Sequence, residues 1–267
     1  MRVTTLGTPD LRIAYDAGNL VFSDRTNASD NKTVVLIGSC RIVPYLNYLR
    51  VYNSLVAPSE ALHLVCLNPV EMWRGPGHEV ADGVNEKLAN FQFGKVDYLI
   101  CEHLQYCGVM NTVRSSPENI YDNLGCKPEV EIRLPNWNDM HILDAETAMH
   151  DKMVYANMEF IERVPYIREQ TAIHKARFLS HCRSSSFPEL EPWVEERWLT
   201  MRMGWTSSHP SHPLMWRMFE LFTGVMGLTL TPELLNHPIC TNEVYRSTGI
   251  ALTAVDYEAN NWQYSPI

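Results

Sequence analysis

The stretch Thr33-Val34-Val35-Leu36-Ile37-Gly38-Ser39-Cys40-Arg41 organises this chain. Five apolar, mostly β-branched residues follow the polar break Ser29-Asp30-Asn31-Lys32, the pattern of a strand buried on both faces of a parallel sheet. Gly38 ends the run and allows a tight turn. From Arg41 to Tyr52 the spacing becomes helical: Ile42, Tyr45, Leu46 and Leu49 share one face, and Pro44 is tolerated in a first turn. The segment reads as strand, turn, helix.

Similar runs recur downstream. Leu62–Leu67 and Val96–Cys101 predict a second and a third strand, and Val130–Leu134 a fourth. Between the second and third lie the loop Arg74-Gly75-Pro76-Gly77 and a helix predicted from about Val80 to Phe91. Strands alternating with helices define an α/β core with a parallel sheet and flanking helices. Upstream, Leu11–Tyr15 and Leu20–Phe22 flank Asp16-Ala17-Gly18-Asn19, which predicts a small hairpin. After about Asp144 helix dominates: Asn157–Arg183, with Pro165 expected to kink it, then Glu189–Met203 and Pro213–Leu228. In the second of these Val194, Trp198 and Met201 form a stripe; the third is apolar nearly all round and is expected to be buried. The expected division is an N-terminal hairpin extension over 1–30, an α/β core over 31–143, and a mainly helical portion over 144–267 packed on the core.

Composition narrows the function. Among 267 residues, 22 Lys and Arg face 31 Asp and Glu, a formal net charge of -9, which argues against a general grip on nucleic acid or on an anionic membrane. No stretch reads as a membrane span, and the N-terminus carries no apolar run of signal-peptide length, so a cytoplasmic protein is expected. Seven scattered cysteines without a Cys-x-x-Cys pair fit reduced thiols and indicate no metal site.

Cys40 stands where a strand hands over to a helix, the place where α/β sheets bind ligands. Backbone N–H groups at a helix start favour a thiolate and can hold a developing oxyanion, and Arg41 adds positive charge. The alternative is a small buried thiol filling the strand end. In Ser207-Ser208-His209-Pro210-Ser211-His212-Pro213, Ser211 or His212 can cap the next helix, leaving His209 on an irregular loop as a candidate mobile general base. The segment Ile132–His141, with Pro135, Trp137 and Asp139, is either a pocket-lining loop or a polar turn with its Trp in the core. The basic residues of His174-Lys175-Ala176-Arg177 and His181-Cys182-Arg183 either meet phosphates or form a solvated helix face. Glu102-His103-Leu104-Gln105-Tyr106 follows the third strand and is placed to join the site, with Gln105 its most interesting residue.

Taken in order, Gly38-Ser39-Cys40-Arg41, Gln105, Leu134-Pro135-Asn136-Trp137 and His209-Pro210-Ser211 resemble the motifs of the WcbI family of polysaccharide-biosynthesis proteins, a family read as acetyltransferases for capsular sugars. That family is similar to the SGNH/GDSL hydrolases in its central sheet. It typically has Gly-Asn-Cys-Gln where this chain has Gly-Ser-Cys-Arg, and His-Pro-Thr where it has His-Pro-Ser. The resemblance implies an SGNH- or flavodoxin-like core and acyl transfer from coenzyme A, as acetyl-coenzyme A, to a carbohydrate hydroxyl. It implies Cys40 and His209 as the reactive pair, with Gly38, Ser39, Arg41, Gln105 and His212 near the coenzyme. No Asp-x-x-His precedes His209, so no third triad member is named. An SGNH-like esterase and a non-catalytic binding protein retaining the fold are the alternatives.

Overall fold

The computed structural model describes residues 30–38, 40–67, 94–102, 127–136, 140–207, 209–242 and 249–264, with backbone alone at 40 and 67, plus the backbone of three short strands near the N-terminus. These are β1 (Thr4–Thr5), β2 (Arg12–Ile13) and β3 (Val21–Asp24). The chain forms two compact units, one of residues 1–134 and 222–242, the other of 135–221 and 243–267.

The first unit holds a five-stranded sheet. β4 (Thr33–Ile37), β5 (His63–Leu67), β6 (Tyr98–Cys101) and β7 (Val130–Arg133) run parallel, in the order β3-β5-β4-β6-β7. β4 is central: Val35 lies opposite Val65 and Leu99, and Ile37 opposite Leu67 and Cys101. Parallel neighbours on both sides explain its continuous apolar run, and Val34, Val35 and Leu36 are fully buried. The four predicted strands are found, each within two residues of its expected start. The predicted hairpin is not: β2 pairs antiparallel with β1, and β3 pairs antiparallel with β5, placing Val21–Asp24 on the edge of the main sheet. A strand edge with open N–H and C=O groups attracted that segment more strongly than a local turn did.

After β4 a single 3-10 turn (Cys40–Ile42) leads into α1 (Val43–Leu55), with Pro44 in its first turn. Burial extends beyond the expected face to Tyr48, Val51 and the polar Asn47 and Arg50. The reason is a second layer: α6 (Pro232–Leu235) and α7 (Pro238–Thr241) pack on α1, and the Phe222 ring meets Tyr45 edge-on at 5.3 Å. Residues 222–242 of the expected helical portion thus share a core with the sheet. The helix expected over 80–91, the loop 74–77 and Trp137 lie outside the described residues.

The second unit is helical. It comprises α2 (Asp144–His150), a 3-10 turn (Tyr155–Asn157), α3 (Phe160–Ser184), α4 (Leu190–Arg197), the first turns of α5 (His212–Met226) and α8 (Ala254–Asn260). Tyr155, Val164, Ile167, Val255 and Ala259 form a core between α3 and α8. Buried Asp144 ties the elements together: its carboxylate accepts from Tyr155 Oη at 2.6 Å and Thr253 Oγ1 at 2.8 Å, and its N–H donates to Asp256 at 2.8 Å. Pro165 lies inside α3 in its second turn. α4 stops at Arg197, short of the expected Met203: the chain closes in tighter turns, Trp198 N–H to Glu195 O and Thr200 N–H to Arg197 O, and Trp198 and Met203 are buried. α5 is buried along Leu214, Met215, Met218, Phe219, Phe222 and Met226, while Arg217 and Glu220 pair at 3.2 Å and Val225 is exposed. No helix among the described residues is long and apolar enough to cross a membrane.

Candidate active site

The strand order creates the place for a site. From β4 the chain moves to β5 on one side, then crosses back to β6 on the other. In such sheets the crevice lies at the carboxyl ends of the strands where the direction of winding reverses. Here those are the ends of β4 and β6, which carry Gly38–Arg41 and Glu102.

The two ends are locked together. Glu102 N–H donates to Ile37 O at 3.0 Å, and the Glu102 carboxylate meets Arg41 Nε at 3.2 Å. Both side chains are almost wholly buried. Gly38 lies against the same carboxylate: a Cβ there would sit 2.8 Å from Glu102 Cγ and 2.9 Å from Cδ. The glycine is required by this close approach and not by its backbone angle, since Gly38 is not among the positive-φ residues. Tyr45, one turn into the helix, is fully buried, and its Oη has no hydrogen-bond partner among the described residues. Burial raises its pKa most, with Tyr48 and Glu102 adding to the rise and Arg41 opposing it.

Arg41 therefore does not stand beside Cys40 as an uncompensated positive charge. Cys40 opens the 3-10 turn, and its side chain, like Ser39 and Gln105, lies outside the described residues. Cys66, Cys182 and Cys240 are free and buried, and burial pushes their thiols up to about 12; the buried Cys101 thiol donates to Ile132 O at 3.7 Å. No group of His, Cys, Asp and Glu among the described residues is arranged to hold a metal.

The second unit carries His209, and the described residues around it are held by several bonds. Ser211 N–H donates to Met203 O at 2.8 Å and Trp205 N–H to His209 O at 2.7 Å, and Gly204 bridges Pro210. Ser207 donates through N–H and Oγ to Glu146 on α2, at 2.8 and 2.9 Å, while its carbonyl accepts from Met140 N–H at 2.9 Å. Arg202 donates to the carbonyls of Gly204, Trp205 and Ile250. Within the loop, Thr206 Oγ1 accepts from His209 N–H at 3.1 Å and lies 2.9 Å from His209 Nδ1. His209 was expected on an irregular loop; the loop is irregular but its backbone is tied down.

Under this loop sits His141, 2% exposed, with Nε2 unpartnered among the described residues. A Cβ on Gly204 would lie 2.8 Å from its Cε1. Burial, then Arg202 and His174, pull the His141 pKa down to about 3. His212 is the first residue of α5, its ring 5.9 Å from that of Trp216 one turn on, and Ser211 Oγ makes no capping bond. In the basic segment of α3, Lys175 lies over Trp198 at 5.0 Å and Arg183 pairs with Glu191, so both charges have local work.

Two residues carry more than the sequence reading assigns them. Glu102 lies in the segment placed to join the site, but Gln105 is the residue singled out there, although Glu102 directly follows a predicted strand. Thr206 was signalled by its spacing, three residues before His209, a span that suits side chain-to-backbone bonding.

The sheet order defines an α/β protein whose sheet has a topological switch point between β4 and β6. No protein-family model matches the chain, and no curated protein matches it. Among solved structures the fold is similar to that of WcbI, a novel polysaccharide biosynthesis enzyme, in a native form without a disulfide bond between coenzyme A and one of that protein's cysteines. The TM-score is 0.54 at 13% identity, with 89% of this chain and 82% of that chain covered. At that identity the likeness is one of fold.

Proposed function

We propose that this chain is a coenzyme A-dependent acyltransferase, transferring an acetyl group to a carbohydrate hydroxyl in polysaccharide biosynthesis. The observation that carries the reading is the Gly38–Arg41 turn at the switch point of a sheet shared with a polysaccharide biosynthesis enzyme described in relation to coenzyme A. The resemblance of the short motifs, stated from the sequence, runs in the same direction.

The backbone N–H groups of the turn entering α1 suit an acyl oxygen on which negative charge builds up, a contribution of roughly 3–4 kcal/mol per well-placed donor. Arg41, whose Nε pairs with Glu102, holds the turn, and it is assigned with Gly38 to the coenzyme's surroundings. Bound acetyl-coenzyme A would supply the activated acyl group. Cys40 is assigned as the thiol at the reacting centre and His209 as the base that takes a proton from that thiol or from the sugar hydroxyl. Ser39, Gln105 and His212 are assigned to the coenzyme's surroundings.

Calorimetry with coenzyme A and acetyl-coenzyme A, on the wild type and on Cys40→Ala, tests the reading. Micromolar binding altered by the substitution is expected, followed by acetyl transfer to sugar acceptors detected by mass spectrometry. Folded protein that binds neither compound overturns the transferase. Hydrolysis of simple acetyl esters without coenzyme A would identify an esterase instead.

A further inference from the structure

We infer that Thr206 is the positioning residue for His209, fixing its ring so that Nδ1 carries the proton and Nε2 is the basic nitrogen. The inference rests on reading His209 as a general base, but its test needs no coenzyme.

A histidine base needs a partner for the nitrogen that does not react, because that partner selects the tautomer and the ring angle. A carboxylate commonly fills the role. Here the group at Nδ1 is the Thr206 hydroxyl, 2.9 Å away. The same oxygen accepts from His209 N–H at 3.1 Å. A hydroxyl oxygen has two acceptor positions. In the inferred tautomer Oγ1 takes the main-chain N–H with one and Nδ1–H with the other, holding the imidazole from its own backbone; the reverse bond, O–H to Nδ1, is the arrangement the test below would detect. In that tautomer Nε2 carries the lone pair that can accept a proton.

The support beneath Thr206 is built for constancy. Thr206 is 7% exposed. Its neighbour Ser207 is clamped by Glu146 and Met140, and its other neighbour Trp205 bonds His209 O. Replacing Gly204 by any larger residue would drive a Cβ to within 2.9 Å of His209 O. Thr206 and the backbone of His209 are thus held from both sides before any substrate arrives.

Protons balance in a simple way. When Nε2 takes a proton from a thiol or hydroxyl, the ring becomes an imidazolium. Nδ1–H then donates to Oγ1 more strongly, because the donor is charged.

The test is the 15N spectrum of His209, assigned by comparison with His209→Gln. The expected wild-type pattern at neutral pH is a protonated Nδ1 and an unprotonated Nε2. Thr206→Ser, which keeps the hydroxyl, is expected to retain it. Thr206→Val, which keeps the shape, is expected to move the ring toward the Nε2–H form and to slow any His209-dependent step by about 10- to 100-fold. Wild-type protein with its proton on Nε2 overturns the inference, as does an unchanged tautomer in Thr206→Val. If Thr206→Val does not fold, the wild-type and Thr206→Ser spectra still decide. Failure to bind coenzyme A would sink the transferase reading and leave these spectra unaffected.

Discussion

Arg41 and Glu102, 61 residues apart in sequence, form a buried ion pair with Nε 3.2 Å from Oε1. It joins the turn after β4 to the end of β6, with side-chain exposures of 7% and 4%. A pair so far from water gains little over an apolar substitute, yet leaves a costly charge when one partner is removed.

Glu102→Gln should therefore destabilise the protein by about 3–5 kcal/mol, read from urea unfolding. Arg41→Gln should cost a similar amount. The double variant should cost clearly less than the sum, because neither charge is then left behind. Strictly additive losses would show that the two groups do not act as a pair.

Gly38→Ala should cost about 1–3 kcal/mol by overpacking against Glu102. In a Glu102→Ala background, where Cγ and the carboxyl are gone, the added penalty should shrink. Thermal unfolding of the four proteins checks this; an undiminished penalty would place the strain elsewhere.

The native protein should shield three of its cysteines. With thiols pushed up to about 12, Cys66, Cys182 and Cys240 would be thiolate in only about one molecule in ten thousand at pH 8. Brief iodoacetamide treatment followed by peptide mass mapping should leave these positions unlabelled, and denaturation should expose them. Rapid native labelling at Cys66 would contradict its burial.

His141 should make the protein sensitive to acid. Its folded pKa of about 3 lies below the ordinary value of about 6.5. Above 6.5 neither state binds the proton, so the contribution is constant. As pH falls from 6.5 toward 3, the unfolded chain takes up a proton that the folded chain refuses. Stability then declines by up to about 1.4 kcal/mol per pH unit from this residue alone. His141→Gln should flatten the decline across that window, measured by denaturant unfolding at a series of pH values.

Much of the fold was legible because its signals are local. The five-residue run before Gly38 announced a central strand, and the spacing of Ile42, Tyr45, Leu46 and Leu49 announced the helix after it. The pairing of β3 with β5 was not legible, since Val21–Asp24 is short and its partner lies more than 40 residues away. The burial of Asn47 and Arg50 in α1 was not legible, and two of the helices that pack on α1, α6 and α7, come more than 180 residues after them. Glu102 escaped for the same reason: only the adjacency of β4 and β6 brings it to Arg41. Thr206 needed no tertiary information. Its hydroxyl lies three residues from His209, but Thr-Ser-Ser-His reads as an ordinary polar loop until the bonds are seen.

One arrangement at the margin of the sheet has a practical consequence. Val21–Asp24 covers Leu64–Leu67 along its whole length. Proteolysis or trimming that removed residues 1–24 would uncover a row of amide and carbonyl groups on a strand of His, Leu, Val and Cys. Such a row recruits strands from other molecules. The N-terminal segment thus acts as a guard against aggregation, protecting the concentrated protein while contributing no residue to the chemistry assigned to the switch point.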